Sequence, residues 1–355
     1  SVTIGTPNAC NQCHTEENAT WALNAMRDWG VEFNDTGSHP ARAISMFRRG
    51  DARAVPGLLE IAQDTSQPPI WRATATVALS QYASQESYQS ALQLLQSPDP
   101  MLRMAAVRSL DFLPPQQRFR VLNPRLTDPS RAVRMETARL LAGVSVDQLD
   151  TYNRKLLTKL NAEYLEVMNM DADMPGVQLQ LGVFHSAQQR LPEAEQAYLR
   201  AIAMNPQFIP ALLNLADLYR SQGRDDEARQ LLQQAIEIAP RQGNAHHALG
   251  LLETRAGNQE QALDSLQKAA RLEQNGTRYR YVYAIALHDK GDVSAAISEL
   301  QKLQRSVPDN PDVLLALINY CKEGGRINDA RRYADKLKQL VPANPQLQQL
   351  YDSLQ

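Results

Sequence analysis

The chain has 355 residues, of which 43% are hydrophobic, 21% charged and 6% aromatic, enough to bury one or two sizeable cores without disulfides or metals. Thirty-seven Lys and Arg against 39 Asp and Glu leave a formal charge of −2, which removes any broad electrostatic drive toward nucleic acid. No apolar run approaches the roughly 20 residues that cross a bilayer, and three cysteines cannot build a disulfide framework.

Residues 1–50 hold the motif that carries chemistry. Cys10-Asn11-Gln12-Cys13-His14 has the spacing of a c-type haem attachment site. Cysteines three apart project to one side of a helical turn, so both thiols can add to the two vinyl groups of one porphyrin while His14 brings a ring nitrogen to the iron. Thr6-Pro7-Asn8 reads as a loop before the motif and Glu16 through Trp29 as a helix after it. The cofactor expectation is haem c on Cys10, Cys13 and His14. The sixth iron ligand then comes from residues upstream of Ser1, or locally from His39, Met26 or Met46, for which the plainer readings are a loop histidine and two core methionines. A thioredoxin-like pair would follow a strand, and nothing here reads as one; a zinc clip using His14 and His39 competes on ligand count alone. The chain opens at Ser1 rather than Met, nine residues before the motif, and is expected to be the C-terminal part of a longer chain.

From about residue 51 to 146 a period of 31 appears. Arg72, Arg103 and Arg134 form one column and Leu79, Leu110 and Leu141 another, seven residues later. The Asp-Pro pairs at 99–100 and 128–129 are expected to cap the helices after them, with proline setting a rigid first turn. This stretch resembles a short HEAT-type array of three helix pairs. Residues 147–174 keep a helical periodicity and are expected to bridge it to a second array.

That second array has a period of 34 and runs through 175–344. Ala194, Ala228, Ala262, Ala296 and Ala330 fall in one column with no insertion; Gln189, Gly223, Gly257, Gly291 and Gly325 stand five positions earlier, and Pro206, Pro240, Gln274, Pro308 and Pro342 twelve later. Glycine suits the tight turn inside a helix pair, and proline stops the second helix. Gly182, Ala216, Gly250 and Ala284 let the paired helices approach closely, and Ile318 breaks that column. The pattern resembles five tetratricopeptide repeat (TPR) units, with 345–355 expected as a capping helix. The implied fold class is all-α, a right-handed superhelical α-solenoid of HEAT-like pairs followed by TPR units, in one continuous rod.

The TPR register lines a concave groove with the first helix of each unit. Arg220, His247, Arg255, Arg278, Tyr281, His288, Asn319 and Lys322 are the partner-binding candidates there, with Asp217 and Asn244 beside them. Their basic lean suits a protein or peptide segment with acidic side chains or a terminal carboxylate. The bland reading is a solvated face. His185 and Cys321 are expected to be packed core residues, and no phosphate loop, nucleophile elbow or carboxylate pair gives an enzyme signature.

Pro-Asn-Ala-Cys-Asn-Gln-Cys-His, followed by Trp21-Ala22 and Trp29-Gly30, resembles the last haem-binding segment of multihaem c-type cytochromes that continue into HEAT and TPR repeats. That resemblance covers the whole chain. It implies an exported, periplasmic electron-transfer protein, cut from a parent with further Cys-x-x-Cys-His motifs that can itself be a multihaem oxidoreductase, and whose repeats dock a redox partner. The competing expectation is a haem-free TPR and HEAT interaction scaffold. Neither reading calls for nucleic acid or a membrane span.

Overall fold

The structure, a computed structural model, describes residues 2, 4–5, 8–32, 39–272 and 277–340, and among them every regular element is a helix. The chain divides into two compact units, Ser1–Met170 and Asp171–Gln355. Each is an α-solenoid, the class expected from the two periods.

The first unit opens with α1 (Cys10–Cys13), α2 (Ala19–Asp28) and α3 (Pro40–Arg48). Asn18 caps α2 by accepting from the Trp21 N–H, and His39 Nδ1 caps α3 by accepting from the Ala41 N–H. Three helix pairs come next: α4 (Val55–Gln63) with α5 (Pro69–Leu79), α6 (Gln85–Leu94) with α7 (Pro100–Ser109), and α8 (Pro115–Leu122) with α9 (Arg131–Leu141). The second helices α5, α7 and α9 pack side by side. Small side chains permit it, since Ala75, Ala106 and Thr137 stand 31 apart and are all fully buried. Leu79, Leu110 and Leu141 fill the core behind them.

The arginine column is a ladder of ion pairs. Arg103 forks onto Asp128, its Nε and Nη2 at 2.9 and 2.8 Å from the two oxygens, and Arg134 forks onto Glu163. Glu163 lies on α10 (Thr151–Met170), the long helix expected to bridge the arrays; its fork onto α9 ties it to the first unit. One expectation needs correction here. Asp99 does cap α7 through the Met101 N–H, with Pro100 in the first turn. Asp128 does not cap α9, which begins later, at Arg131. The two Asp-Pro pairs are 29 residues apart in a 31-residue repeat, so Asp128 falls out of the capping register and serves Arg103 instead.

The second unit contains five pairs. The first helices are α11 (Pro175–Ala187), α13 (Ile209–Ser221), α15 (Gly243–Arg255), α17 (Thr277–Asp289) and α19 (Pro311–Glu323). They alternate with α12 (Leu191–Met204), α14 (Asp225–Ile238), α16 (Gln259–Leu272), α18 (Val293–Ser306) and α20 (Ile327–Leu340). Three of the second helices end two residues before a proline, and the residue between, Asn205, Ala239 or Val307, has left helical geometry as a pre-proline residue must. The alanine column is buried throughout, at most 3% exposed. A Cβ added at Gly182 would stand 2.3 Å from the Tyr198 ring, and one at Gly250 2.6 Å from Leu266 Cγ, so glycine there is a packing requirement. Ile318 breaks the small-residue column because its unit carries Ala334 where the others carry Tyr198, Leu232, Leu266 and Leu300, and Ile318 and Ala334 join one core cluster. Residues 345–355, expected as a cap, lie outside the described residues.

Candidate functional site

Two regions hold the candidate residues. At the N-terminus, α1 is a single turn, and Asn8 holds its start: Asn8 Oδ1 accepts from the Asn11 N–H at 3.1 Å, and the two side-chain amides bond at 2.5 Å. The Asn11 amide also donates to the Glu17 carbonyl at 2.6 Å, tying the turn to the loop before α2. The His14 N–H closes the turn on the Cys10 carbonyl at 2.9 Å. Both cysteines are free thiols, Cys10 half-buried and Cys13 exposed. The exposed His14 ring rests against Trp21, centroids 4.7 Å apart and planes tilted by 46°.

Two of the local candidates for a sixth ligand, His39 and Met46, make other contacts. His39 Nδ1 is committed to its helix cap, and the ring stands edge-on to Trp71 at 6.0 Å. Met26 is half-buried on α2, and Met46 packs against the cluster around Leu58 and Ile61. Among the described residues no group of three or more His, Cys, Asp or Glu could hold a metal ion, so the zinc clip of His14 and His39 finds no further ligands there.

The second region is the row of first helices α13, α15, α17 and α19, where the eight groove candidates sit. The structure gives several of them partners inside the chain. Arg220 forks onto Asp217 one turn back on α13. Arg255 reaches from α15 to the Arg220 carbonyl at 2.7 Å and pairs with Asp225 at the start of α14. That is a C-terminal helix cap supplied by the next unit. His288 stacks on Tyr320 of the next unit, rings 3.9 Å apart and 3° from parallel, and meets Glu323 Oε2 at 2.6 Å. Its pKa is raised, chiefly by that hydrogen bond. Tyr281 is half-buried against the core of the last unit. Arg278, Asn319 and Lys322 are exposed.

His247 is a correction. The register aimed it into the groove, but it is 6% exposed, covered by Tyr279 of the next unit at 4.6 Å. Burial first, and Arg278 second, push its pKa down to about 4, so the ring is neutral at pH 7. The expected packing of the other two holds: Cys321 is fully buried and His185 half-buried beside Phe184.

Sequence reasoning passed over the apolar members of this row and of α11, the first helix of the preceding unit. Val183, Leu251 and Leu315 are 45, 38 and 40% exposed although large and apolar. Val183 and Leu251 share a column with Asp217, Ile285 and Asn319, and that column was the signal available.

The comparisons with known proteins agree with the repeats. A tetratricopeptide repeat family matches residues 186–252 and 287–354, and a second model of that repeat matches 247–311. A HEAT repeat family matches 55–142. Among solved structures, the chain is similar to the MamA protein, at 19% identity over 47% of this chain and 91% of that one, TM-score 0.42. It is also similar to YrrB, described as a TPR protein with an unusual peptide-binding site, at 17% identity over 53% and 97%, TM-score 0.43. For pilF of Pseudomonas aeruginosa the values are 21% identity, 62% and 97% coverage, and TM-score 0.44. No curated protein matches the chain. The chain thus carries HEAT repeats over residues 55–142 and TPR repeats over 186–354.

Proposed function

We propose that this scaffold docks an extended protein segment along the first helices of its TPR units, and that its N-terminal turn holds haem c for electron transfer outside the cytoplasm. The observation that carries the docking reading is the set of exposed apolar side chains, Val183, Leu251 and Leu315, on helices whose other large apolar residues are packed. Large apolar groups left in water on a solenoid's inner helices are anchor points for a partner's side chains. Arg278 and Lys322, exposed beside them, suit acidic residues or a terminal carboxylate of that segment. Replacing Leu251 and Leu315 with Ser should weaken capture of the native partner while the far-ultraviolet circular dichroism stays unchanged. Undiminished capture by the double variant would move the docking site off this row.

The haem reading is supported by the donor set. Two unpaired thiols three residues apart share one turn, the adjacent imidazole is solvent-accessible, and Asn8 and Asn11 hold the turn in place. Cys10 and Cys13 would hold the porphyrin through thioether bonds and His14 would ligate the iron. Bound there, the group supplies reversible one-electron transfer. Covalent haem attachment in bacteria takes place outside the cytoplasm, so this reading carries a periplasmic or otherwise exported location with it. Production together with haem-attachment machinery should raise the denatured mass by that of one haem, and changing both cysteines to Ala should abolish the increase. A mass unchanged under those conditions overturns the haem reading.

The second reading is the haem-free scaffold. It is favoured by one observation: the family matches fall within residues 55–354, and none reaches the motif at 10–14. A reduced sample without a sharp haem c absorption band, isolated from the source cell, decides for it.

A further inference from the structure

The arginine ladder of the first unit has one incomplete rung. Arg103 gives Nε and Nη2 to Asp128 and Nη1 to the carbonyls of Ser97 and Pro98, each at 2.9 Å. Arg134 repeats the arrangement, with Nε and Nη2 on Glu163 and Nη1 on the carbonyls of Asp128 and Pro129 at 2.8 and 3.3 Å. Arg72 opens the same column and does neither. Its Nε donates to the Ala62 carbonyl at 3.2 Å, and among the described residues it has no ion-pair partner. The cause is in the sequence. Twenty-five residues after Arg103 stands Asp128, whereas twenty-five residues after Arg72 stands Ser97.

A cavity of about 460 Å³ lies where that carboxylate is missing, lined by Arg72 and Ser97 and by Gln63, Ser90, Gln93 and Asp99. Ser90 is 1% exposed, and its hydroxyl has no hydrogen-bond partner among the described residues. A buried hydroxyl left without a partner is unfavourable and therefore informative. The acids nearby in sequence make their closest contacts elsewhere, although the Asp64 charge also acts on Arg72 from beyond ion-pair distance. Asp99 caps α7, and Asp64 accepts from the Ser66 N–H and hydroxyl and from the Gln67 amide, at 2.9, 2.7 and 3.2 Å.

We propose that this cavity binds a carboxylate ligand on the Nη1 and Nη2 edge of Arg72, whose Nε is held by the Ala62 carbonyl. Either edge of a guanidinium matches a carboxylate bidentately; the next two rungs make such a fork through Nε and Nη2. The amides of Gln63 and Gln93 are then available to the rest of the ligand. The volume falls in the range of sites for small molecules, roughly 300–1,000 Å³, which suits a short organic acid or the carboxyl end of a peptide. The site is separate from the TPR row and from the N-terminal turn, and does not depend on either reading above.

The full chain titrated calorimetrically with succinate, and with a tetrapeptide as free acid and as C-terminal amide, tests this. At least one free carboxylate probe should bind, and Arg72→Gln should weaken it by about tenfold or more through loss of the fork. Ser97→Asp supplies the missing carboxylate from within, so it should abolish binding and raise the melting temperature. Succinate alone binding identifies a small organic acid; the free-acid peptide binding while its amide does not identifies a protein terminus. The proposal is overturned if no probe binds, if inorganic phosphate binds as tightly as the carboxylates, or if folded Arg72→Gln binds as the unmodified chain does. Should Ser97→Asp fail to fold, Arg72→Lys decides in its place, since it keeps the charge without the fork and must also bind more weakly.

Discussion

Gln189 occupies the turn position at which the other four TPR units carry glycine. Its φ is 59°, and those of Gly223, Gly257, Gly291 and Gly325 lie between 71 and 92°. Left-handed geometry costs a non-glycine residue about 1–2 kcal/mol. Glycine escapes that cost but returns about 0.5–1 kcal/mol through the greater freedom of its unfolded chain. The Gln189 side chain has little else to lose, because it is exposed and its amide stands 3.5 Å from the Ser186 carbonyl. Gln189→Gly should therefore stabilise the second unit by roughly 0.5–1 kcal/mol, or about 1–4 °C in melting temperature. The reverse exchange isolates the backbone cause. A Cβ at Gly257 would meet nothing within 4 Å, so Gly257→Gln carries no steric penalty and should destabilise by a similar amount. Urea unfolding followed by circular dichroism measures both, and hydrogen exchange in α11 and α12 locates the effect, since repeat arrays can open in stages. A Gln189→Gly variant no more stable than the parent, with Gly257→Gln equally unaffected, would refute backbone strain as the reason for the glycine column.

Gly250→Ala should cost about 1–3 kcal/mol by overpacking, because Leu266 and its backbone nitrogen leave no room for a methyl group; an unchanged urea midpoint would show that α15 and α16 can separate freely. Asp128→Asn should destabilise the first unit by about 3–5 kcal/mol in the same assay, since it leaves the buried Arg103 guanidinium without its counter-charge. Burial would raise the pKa of Asp128, but hydrogen bonds from Arg103 and Ser130 and the charges of Arg103 and Arg125 outweigh it and hold it below the ordinary 3.8. The ladder's stabilisation is thus present above that value and lost as pH falls through the lower folded one, so the first unit should lose stability in acid. For His288 the sign is opposite. The folded pKa lies above 6.5, chiefly through the Glu323 hydrogen bond, so its contribution is full below 6.5 and fades as pH rises through the folded value; a ring titration by NMR checks this, and His288→Gln should erase it.

The two periods made most of the architecture legible because each repeats one backbone geometry, and a backbone geometry restricts residue type. A left-handed turn selects glycine, a close helix crossing selects Gly or Ala, and proline stands in a helix's first turn or just past its end. The exceptions were legible only with their partners in view. Ile318 is intelligible once Ala334 is seen opposite, and Asp128 once the Asp-Pro pairs are found out of register by two residues. The site was harder to read. The Cys-x-x-Cys-His spacing is local and visible, but the Asn8 and Asn11 bonds that hold its turn depend on side-chain reach that spacing does not encode. His247 was placed on the groove from its own helix, and the residue that covers it, Tyr279, belongs to the next unit.

The same distinction decides how the TPR row should respond to salt. From sequence, Arg220, Arg255, Arg278 and Lys322 add up to a positive groove whose hold on an acidic segment weakens as salt rises. In the structure, Arg220 and Arg255 already face Asp217 and Asp225, and Arg255 also fastens α15 to the end of α13. A partner carboxylate reaching either arginine must displace an intramolecular one, which exchanges one ion pair for another and gains little. The apolar anchors face no such exchange, since Leu251 and Leu315 are exposed and their burial releases water whatever the salt. Binding should therefore fall only shallowly between low and physiological salt, with Arg278→Glu changing the association rate more than the dissociation rate. Leu251→Ser should do the reverse and speed dissociation. An affinity that drops steeply with salt and is untouched by Leu251→Ser would mean that the intramolecular pairs open on binding, and that the charged groove read from the sequence is the one the partner meets.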